Sequence, residues 1–315
     1  MAKQTLEPTV HPDEIKAIPV RHPWRWVTIV ILAVLFAQLI HFLFWTQAQR
    51  KAAHETNLDW SVVGSYLFDP SILNGVKWTI ILTIMAMVIG VVLGLFLAVM
   101  RLSGNPILRS VAWLYIWFFR GTPVYVQILV WFNIASILSS ISAGLPFWYS
   151  WGHASPTSVI TQLVAACLGL GLNEGAYMSE IVRAGLISVD EGQVEAASAI
   201  GLSRGKTIWR IVIPQAMRVI VPPTGNETIS MLKTTSLVSV IGFAELLYTA
   251  QIIYARTYQT MSLLVVVCIW YLFLTSILMS GQYYVERYYA KGSMRQLPLT
   301  PLQKIRALIG NGGTA

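Results

Sequence analysis

The chain reads as an all-α, polytopic membrane protein: a bundle of about six transmembrane helices with both termini cytoplasmic. Three observations lead there. Of its 315 residues, 55% are hydrophobic and only 11% are charged, against about 25% charged in an ordinary globular domain. Mean hydropathy is +0.61, a value of chains built largely from bilayer-spanning segments. The apolar residues gather into runs of about 20, the length that crosses a hydrocarbon core, and the 22 Lys and Arg lie mostly between those runs. The formal charge of +8 therefore marks membrane-flanking loops rather than a nucleic-acid surface.

The runs follow in order. After a polar leader, 1–23, residues 24–45 form the first, with Trp24, Trp26 and Trp45 near its ends, where interfacial aromatics belong. A signal peptide is the alternative, but the run is long, begins late and lacks a small-residue cleavage site. An external polar segment, 46–75, comes next. The second run, 76–100, carries Gly90 and Gly94 flanked by Ala86 and Ala98. Small residues at this spacing let helix backbones approach closely. Packing within the bundle is the expected use, and dimerisation is the alternative.

The third run, 108–138, is too long for one simple span and is divided by Arg120-Gly121-Thr122-Pro123. Residues 108–119 are expected along the interface, with Trp113, Tyr115 and Trp117 at headgroup level, and 121–138 are expected to cross. The fourth run, 159–181, is unusually polar, containing Asn173, Glu174, Tyr177 and Glu180. Ionisable groups inside a bilayer are costly and point to function. The fifth, 219–241, carries Asn226, Glu227 and Lys233, and the sixth is 261–284. A tail, 290–315, ends the chain.

Orientation follows from Lys and Arg. With six spans, Lys3, Lys16, Arg21 and Arg25 share one side with Arg101 and Arg109, with Arg183, Arg204, Lys206, Arg210 and Arg218, and with Arg287, Lys291, Arg295, Lys304 and Arg306. The opposite loops hold Arg50, Lys51 and Arg256, and no Lys or Arg lies between 139 and 158. Both termini and the loop 190–214 are thereby cytoplasmic.

That loop is the strongest signal in the chain. Asp190 suits a helix N-cap, with Gln193 three residues on. Glu191 and Glu195 favour the start of the helix through its dipole. Ala196, Ala197 and Ala199 are strong helix formers that leave a shallow surface. Gly201 permits a turn, Arg204, Lys206 and Arg210 make the next segment basic, and Pro214 marks a stop where the chain re-enters the membrane. A resemblance of Gly201 to Thr207 to a phosphate loop fails, because three residues separate Gly201 from Gly205 where four are needed. Cys167 and Cys268 lie in apolar runs as expected buried thiols, and His11, His22, His41, His54 and His153 form no ligand pattern.

Glu195-Ala196-Ala197, Gly201, Ile211, Ile213 and Pro214 resemble the EAA motif of permease subunits of bacterial ATP-binding-cassette importers, with Ile213 in place of Leu. The segment 119–127, from Phe119 through Arg120-Gly121-Thr122-Pro123 to Val126-Gln127, is similar to the FRGTPxxVQ segment of that family's polar amino-acid branch. Ala176 to Gly185 is similar to its AYxxExxRGG segment, with Ala184 for the first Gly. Lys233-Thr234-Thr235-Ser236-Leu237 is similar to its KDTSL segment, but Thr234 replaces Asp and removes a carboxylate partner for Lys233. The resemblance covers about residues 74–289.

It implies a five-helix permease core, 76–289, preceded by one extra helix. It also implies no cofactor in this chain, with ATP and Mg on a partner ATPase present in two copies. A second, identical or similar permease, an extracytoplasmic amino-acid-binding protein and a place in the bacterial inner membrane are further implications. Glu195, Ala196, Ala197, Gly201, Arg204, Ile211 and Pro214 are then the ATPase-coupling residues. Substrate-pathway candidates are Asn173, Glu174, Tyr177, Glu180, Asn226 and Glu227, because a zwitterion needs an acceptor for its ammonium and donors for its carboxylate. Positions 173, 177 and 180 share a helix face, and a purely bundle-stabilising role for these groups is the alternative. Glu180 with Arg183 fits a structural ion pair, and Arg120 fits a structural role at the cytoplasmic start of span three. A secondary, ion-coupled transporter is the competing function, but it offers the EAA loop no task and needs an internal repeat that is not evident.

Overall fold

The six apolar runs fall on helices, the third of them on two. The structure, a computed structural model, describes residues 24–52, 58–138, 140–145 and 149–289. The expected leader and tail lie outside them. Two units are distinguished, Met1–Leu58 and Asp59–Ala315.

Among its described residues the first unit holds one helix, α1 (Trp24–Ala52), which carries the first apolar run. It runs past the apolar residues because Gln47 to Ala52 are all fair helix formers.

The second unit begins with α2 (Trp60–Leu67), capped by the Asp59 carboxylate, which accepts from the Ser61 amide at 2.9 Å. Asp69 caps α3 (Pro70–Leu102) in the same way, and Pro70 occupies the first turn, where no amide is needed. Asp69 and Pro70 start α3 six residues ahead of its apolar run. A tight turn leads to α4 (Pro106–Gly121), capped by Asn105, and then α5 (Val124–Ile137).

An addition to the helical bundle follows. Two short strands pair antiparallel, β1 (Ile141–Leu145) with β2 (Tyr149–Ala154), in which Ile141 faces Ala154. A short α6 (Pro156–Val159) leads into α7 (Gln162–Ile187). The loop contains α8 (Glu191–Ala199) and α9 (Arg204–Thr207). A π turn, Ile208–Val212, joins α9 to α10 (Ile213–Thr234), and a 3-10 segment, Thr235–Ile241, ends it. Then come α11 (Leu246–Thr257) and α12 (Thr260–Tyr289).

By length and apolarity alone, α3 and α12 can cross a membrane, and Arg204–Ile241 with Leu246–Thr257 passes as a pair bent by 46°. At 14 residues, α5 is roughly 21 Å long, short of a core of about 30 Å. The 26-residue α7 has the length, roughly 39 Å, but its polar residues lower its apolarity.

The centre of the unit is the contact of α3 with α7. A Cβ on Gly94 would lie 2.5 Å from Met178 Cβ and 2.9 Å from the Met178 backbone, and a Cβ on Gly90 would meet Glu174. Gly171 and Gly175 answer from α7 against Ile89 and Leu93. Ala86 and Ala98 are fully buried on the same face. The G-x-x-x-G pair is thus used for packing inside the subunit. Cys167 is buried, as expected, whereas Cys268 is exposed on α12.

Two expectations are corrected. First, the three aromatics expected at headgroup level do not share one direction on α4. Ala112, Ile116 and Phe119 are buried, and the Tyr115 hydroxyl turns inward to donate to the Leu172 carbonyl at 2.8 Å. Trp113 and Trp117 do face outward, at 51% and 60% exposure. Second, Pro214 is not a stop. The Ile213 amide reaches back five residues to the Ile208 carbonyl. That wider turn accommodates the proline, which lacks an amide and crowds the carbonyl four residues back. Helical backbone therefore continues from Arg204 to Thr234.

Glu245 is fully buried without a salt bridge among the described residues. It caps α11, accepting from the Leu247 and Tyr248 amides at 2.9 and 2.7 Å, and takes the Tyr271 hydroxyl from α12 at 3.1 Å. The Thr79 hydroxyl of α3 accepts from the Leu246 amide at 3.2 Å. One carboxylate thereby ties α11 to α12, beside the tie from α11 to α3.

The packing has a signed consequence. Gly94→Ala is expected to destabilise the detergent-solubilised protein by about 1–3 kcal/mol, because the added methyl meets backbone. Gly281→Ala in α12, with nothing within 4 Å of its Cβ, should be neutral or stabilising by up to about 1 kcal/mol. Thermal unfolding midpoints measure both, and equal shifts for the two variants contradict the packing account.

Candidate translocation pathway and coupling loop

The site begins with a broken helix. Pro123 lacks an amide, and it forces Thr122 before it into extended backbone, φ −115° and ψ 143°. The chain therefore leaves α4 and re-enters helix at α5 beside the middle of α7. The two ends at this break are treated differently. The α4 end is covered: the Gln127 amide donates to the Phe119 carbonyl at 3.0 Å, the Thr122 carbonyl at 3.1 Å and the Thr122 hydroxyl at 2.7 Å. Asn173 from α7 adds a bond to the Phe119 carbonyl at 2.8 Å. The α5 end carries no side-chain cap. The Val126 and Gln127 amides return to the Pro123 carbonyl, at 3.0 and 3.1 Å.

A second irregularity faces this one. Pro222 and Pro223 lie inside α10 and free the carbonyls of Arg218 and Val219 from their usual helical partners. Two cavities open between α7 and α10. One, of about 370 Å³, is lined by Val124, Asn173, Glu174, Tyr177, Glu227, Ser230, Met231 and Thr234. The other, of about 410 Å³, lies towards the loop and is lined by Arg120, Tyr177, Glu180, Arg183, Val219, Pro223 and Glu227 among others. Tyr177 and Glu227 belong to both, so they form the partition. The Arg120 guanidinium sits 5.1 Å over the Tyr177 ring, a cation–π distance.

The candidates thus separate. Glu174 and Glu227 reach the cavities from opposite helices. Glu174 is 4% exposed, and its Oε1 is buried with no hydrogen-bond partner among the described residues. Asn173 lines the same cavity but spends its amide on α4. Glu180 is paired: Arg183 donates to its Oε2 from Nη2 at 2.7 Å and from Nε at 3.0 Å. Asn226 is exposed and lines neither cavity. Lys233 is exposed and makes no salt bridge among the described residues. Arg120 is set against the partition, with Gly121, Thr122 and Pro123 forming the break beside it.

The loop is built from local chemistry. Asp190 caps α8 through the Gly192 amide at 2.7 Å. At the far end the Leu202 amide bonds the Ala197 carbonyl and the Gly201 amide bonds the Ser198 carbonyl, each at 3.0 Å. This Schellman pattern needs a left-handed residue after the helix, and Gly201 supplies it at φ +75°. Ala197 is buried while Glu195, Ala196 and Arg204 are exposed, Ile211 is half-buried and Pro214 is exposed. Ile200 and Trp209 stand out at 76% and 74% exposure, an apolar surface between the exposed basic residues Arg204, Lys206 and Arg210.

Three features escaped the sequence. Gln127 and the bare α5 terminus depend on a break whose geometry no spacing specifies. Glu245 had a readable sign, an acidic residue just before Leu246-Leu247, but its Tyr271 partner is distant in sequence. No group of three metal-binding side chains occurs among the described residues.

A broken helix, polar cavities between α7 and α10 and an exposed helix–turn–helix loop fit a membrane-embedded transport subunit. Residues 90–290 match the family described as binding-protein-dependent transport system inner membrane component, and the chain belongs to that family. It is similar to the arginine transport system permease protein ArgU of Corynebacterium glutamicum, 46% identical over 92% of this chain and 87% of that protein. It is also similar to the glutamine transport system permease protein GlnP of Escherichia coli, 33% identical over 70% of this chain and 92% of that protein. A solved structure described as an amino acid ABC transporter with histidines matches with a TM-score of 0.60, 34% identity, and coverage of 70% of this chain and 95% of that one. Members of the family are transporter membrane components rather than enzymes, and they work with ATPase and binding-protein partners.

The Gly201 turn can be tested apart from transport. Gly201→Ala meets no atom within 4 Å but keeps φ +75°, which costs about 1–2 kcal/mol; Gly201→Asn should cost less, because Asn tolerates that region. Hydrogen exchange at the Gly201-position and Leu202 amides should rise about tenfold or more in the Ala variant. Unchanged exchange there rules out the turn as the element that fixes the loop.

Proposed function

We propose that the chain is the permease subunit of an ATP-binding-cassette importer in a bacterial inner membrane, carrying polar amino acids and preferring cationic ones. Two ATPase subunits, a second permease, identical or similar, and an extracytoplasmic amino-acid-binding protein complete the machine. ATP and Mg²⁺ belong to the ATPase, since this chain's only phosphate-loop likeness has the wrong glycine spacing.

Glu195, Ala196, Ala197, Gly201, Arg204, Ile211 and Pro214 form the docking element in this reading. The ATPase receives the exposed face of α8 and the apolar Ile200 and Trp209. Its closure moves the loop as a rigid body, and α10 carries that motion to the partition. Tyr177 and Glu227 then separate an outer chamber from an inner one, with Arg120 steadying the Tyr177 ring. Glu180, already held by Arg183, maintains the exit wall.

The observation that carries the cationic preference is Glu174: a buried carboxylate that lines the outer chamber, with one oxygen lacking a partner among the described residues. Desolvating it is costly unless a positive charge arrives. Glu227 adds a second carboxylate to the same cavity. The arginine permease at 46% identity over most of the chain supports the same substrate class.

The test is uptake by proteoliposomes holding the assembled complex. ATP-dependent accumulation of L-arginine is expected, and uptake that persists without any nucleotide defeats the importer reading. Glu174→Gln, which keeps the shape and removes the charge, should lower L-arginine uptake at least tenfold while the complex still assembles. Equal L-arginine uptake by the variant and the parent defeats the cationic preference.

A further inference from the structure

The proline pair of α10 is gripped on either side by a different helix. On the loop side, a Cβ on Gly185 of α7 would overlap the Ile220 side chain and lie 3.1 Å from the Ala216 carbonyl. On the far side, a Cβ on Gly225 would overlap the side-chain amide of Gln282, which reaches in from α12. Each glycine admits a neighbour that a larger residue would push away. Between the two contacts, Pro222 and Pro223 remove two amides from the helical ladder. The weakest stretch of α10 thus lies between one fixture on α7 and another on α12.

The α12 fixture is directional. Gln282 Nε2 donates to the Pro222 carbonyl at 2.8 Å and to Glu286 Oε1 at 2.9 Å. A primary amide has two protons to give, and both are used. Glu286 stands one turn further along α12 and is half-buried, so it holds the amide in the orientation that reaches α10. An apolar contact lets helices slide past each other, whereas a hydrogen bond to one backbone carbonyl selects one position. The bond is made to the first proline itself. Glu227, which lines both cavities, follows five residues later, roughly 1.4 turns along the helix.

We infer that Gln282 is a positioning residue for transport: oriented by Glu286 and admitted by Gly225, it latches the proline hinge of α10 to α12 and so holds Glu227 in place against Tyr177. This rests on the importer reading above. α12 is then the fixed post, while the loop, the first arm of α10 and the end of α7 move against it. Releasing the latch is part of the work that cargo delivery and ATP binding do together, so an intact latch restrains hydrolysis when no cargo is present.

Gln282→Ala and Gly225→Ala test the latch as a pair. The first removes the amide, and the second evicts it, because the added methyl takes its space; with Gln282→Ala present that space is empty. ATP hydrolysis is measured on the assembled complex in proteoliposomes, with and without L-arginine-loaded binding protein, beside thermal unfolding midpoints. Each single variant should raise unstimulated hydrolysis and lower the ratio of stimulated to unstimulated rate about threefold or more. Gly281→Ala, the neighbouring position with nothing within 4 Å of its Cβ, should keep the parent ratio. In the double variant, Gly225→Ala should add nothing to Gln282→Ala. The assignment is overturned if Gln282→Ala lowers the midpoint and leaves the ratio at the parent value, or if Gly225→Ala lowers the ratio as far in the Gln282→Ala background as in the parent. A parent complex whose hydrolysis does not respond to loaded binding protein would instead overturn the importer reading on which this one stands.

Discussion

The close approach of α3 to α7 is the constraint on which the rest depends. Among lipid tails, burying a Leu gains little, so helices associate through tight packing and a few polar bonds. Gly90 and Gly94 on one side, with Gly171 and Gly175 on the other, let the two backbones come nearly into contact. That contact also positions chemistry. The space a side chain at Gly90 would fill is taken by the Glu174 stem, so the carboxylate is held between helices instead of reaching water. A structural device and a charged cavity wall are the same interaction.

Around this pair, several interruptions of the helical backbone are met by side chains. A bilayer offers no water to orphaned amides and carbonyls. At the α4 end of the break, Gln127 and Asn173 supply the missing donors. Glu245 does the equivalent for the start of α11. In α10 the Gln282 amide adds a bond to the Pro222 carbonyl at 2.8 Å, beside the two carbonyls, of Arg218 and Val219, that the prolines free. The chambers lie where this provision stops, between the uncapped α5 and the proline pair of α10.

Much of this was legible in the sequence because it is local. The helix cap at Asp190, the turn at Gly201 and the break at Pro123 are each fixed by a residue's own chemistry. The glycine spacing in α3 announced close packing, and the polar residues of α7 announced a site. What remained hidden depends on direction or distance. Tyr115 lies in a stretch apolar on every side, so periodicity could not say that it faces Leu172 while Trp113 and Trp117 face out. Pro214 reads as a stop, since the π turn that absorbs it is a geometric adjustment with no residue signature. Glu174 and Glu227 sit on helices far apart in sequence, and only the packing of α7 on α10 makes them share a cavity. The paired strands β1 and β2 are too short and mixed for a clear alternating pattern.

The uninterrupted backbone from Arg204 to Thr234 has a mechanical meaning. Its 31 residues, counted inclusively from those bounds, make a lever roughly 46 Å long. Trp209 is on its outer arm and Glu227 on its inner arm. Pro222 and Pro223, where two rungs of the helical ladder are missing, provide the fulcrum. Had Pro214 ended the helix, the arm would be hinged at the membrane surface and a push on the loop would be lost there. In the proposed reading the π turn keeps that backbone continuous, so a displacement at the loop is carried to the partition, and the bending is reserved for the place where the two chambers meet.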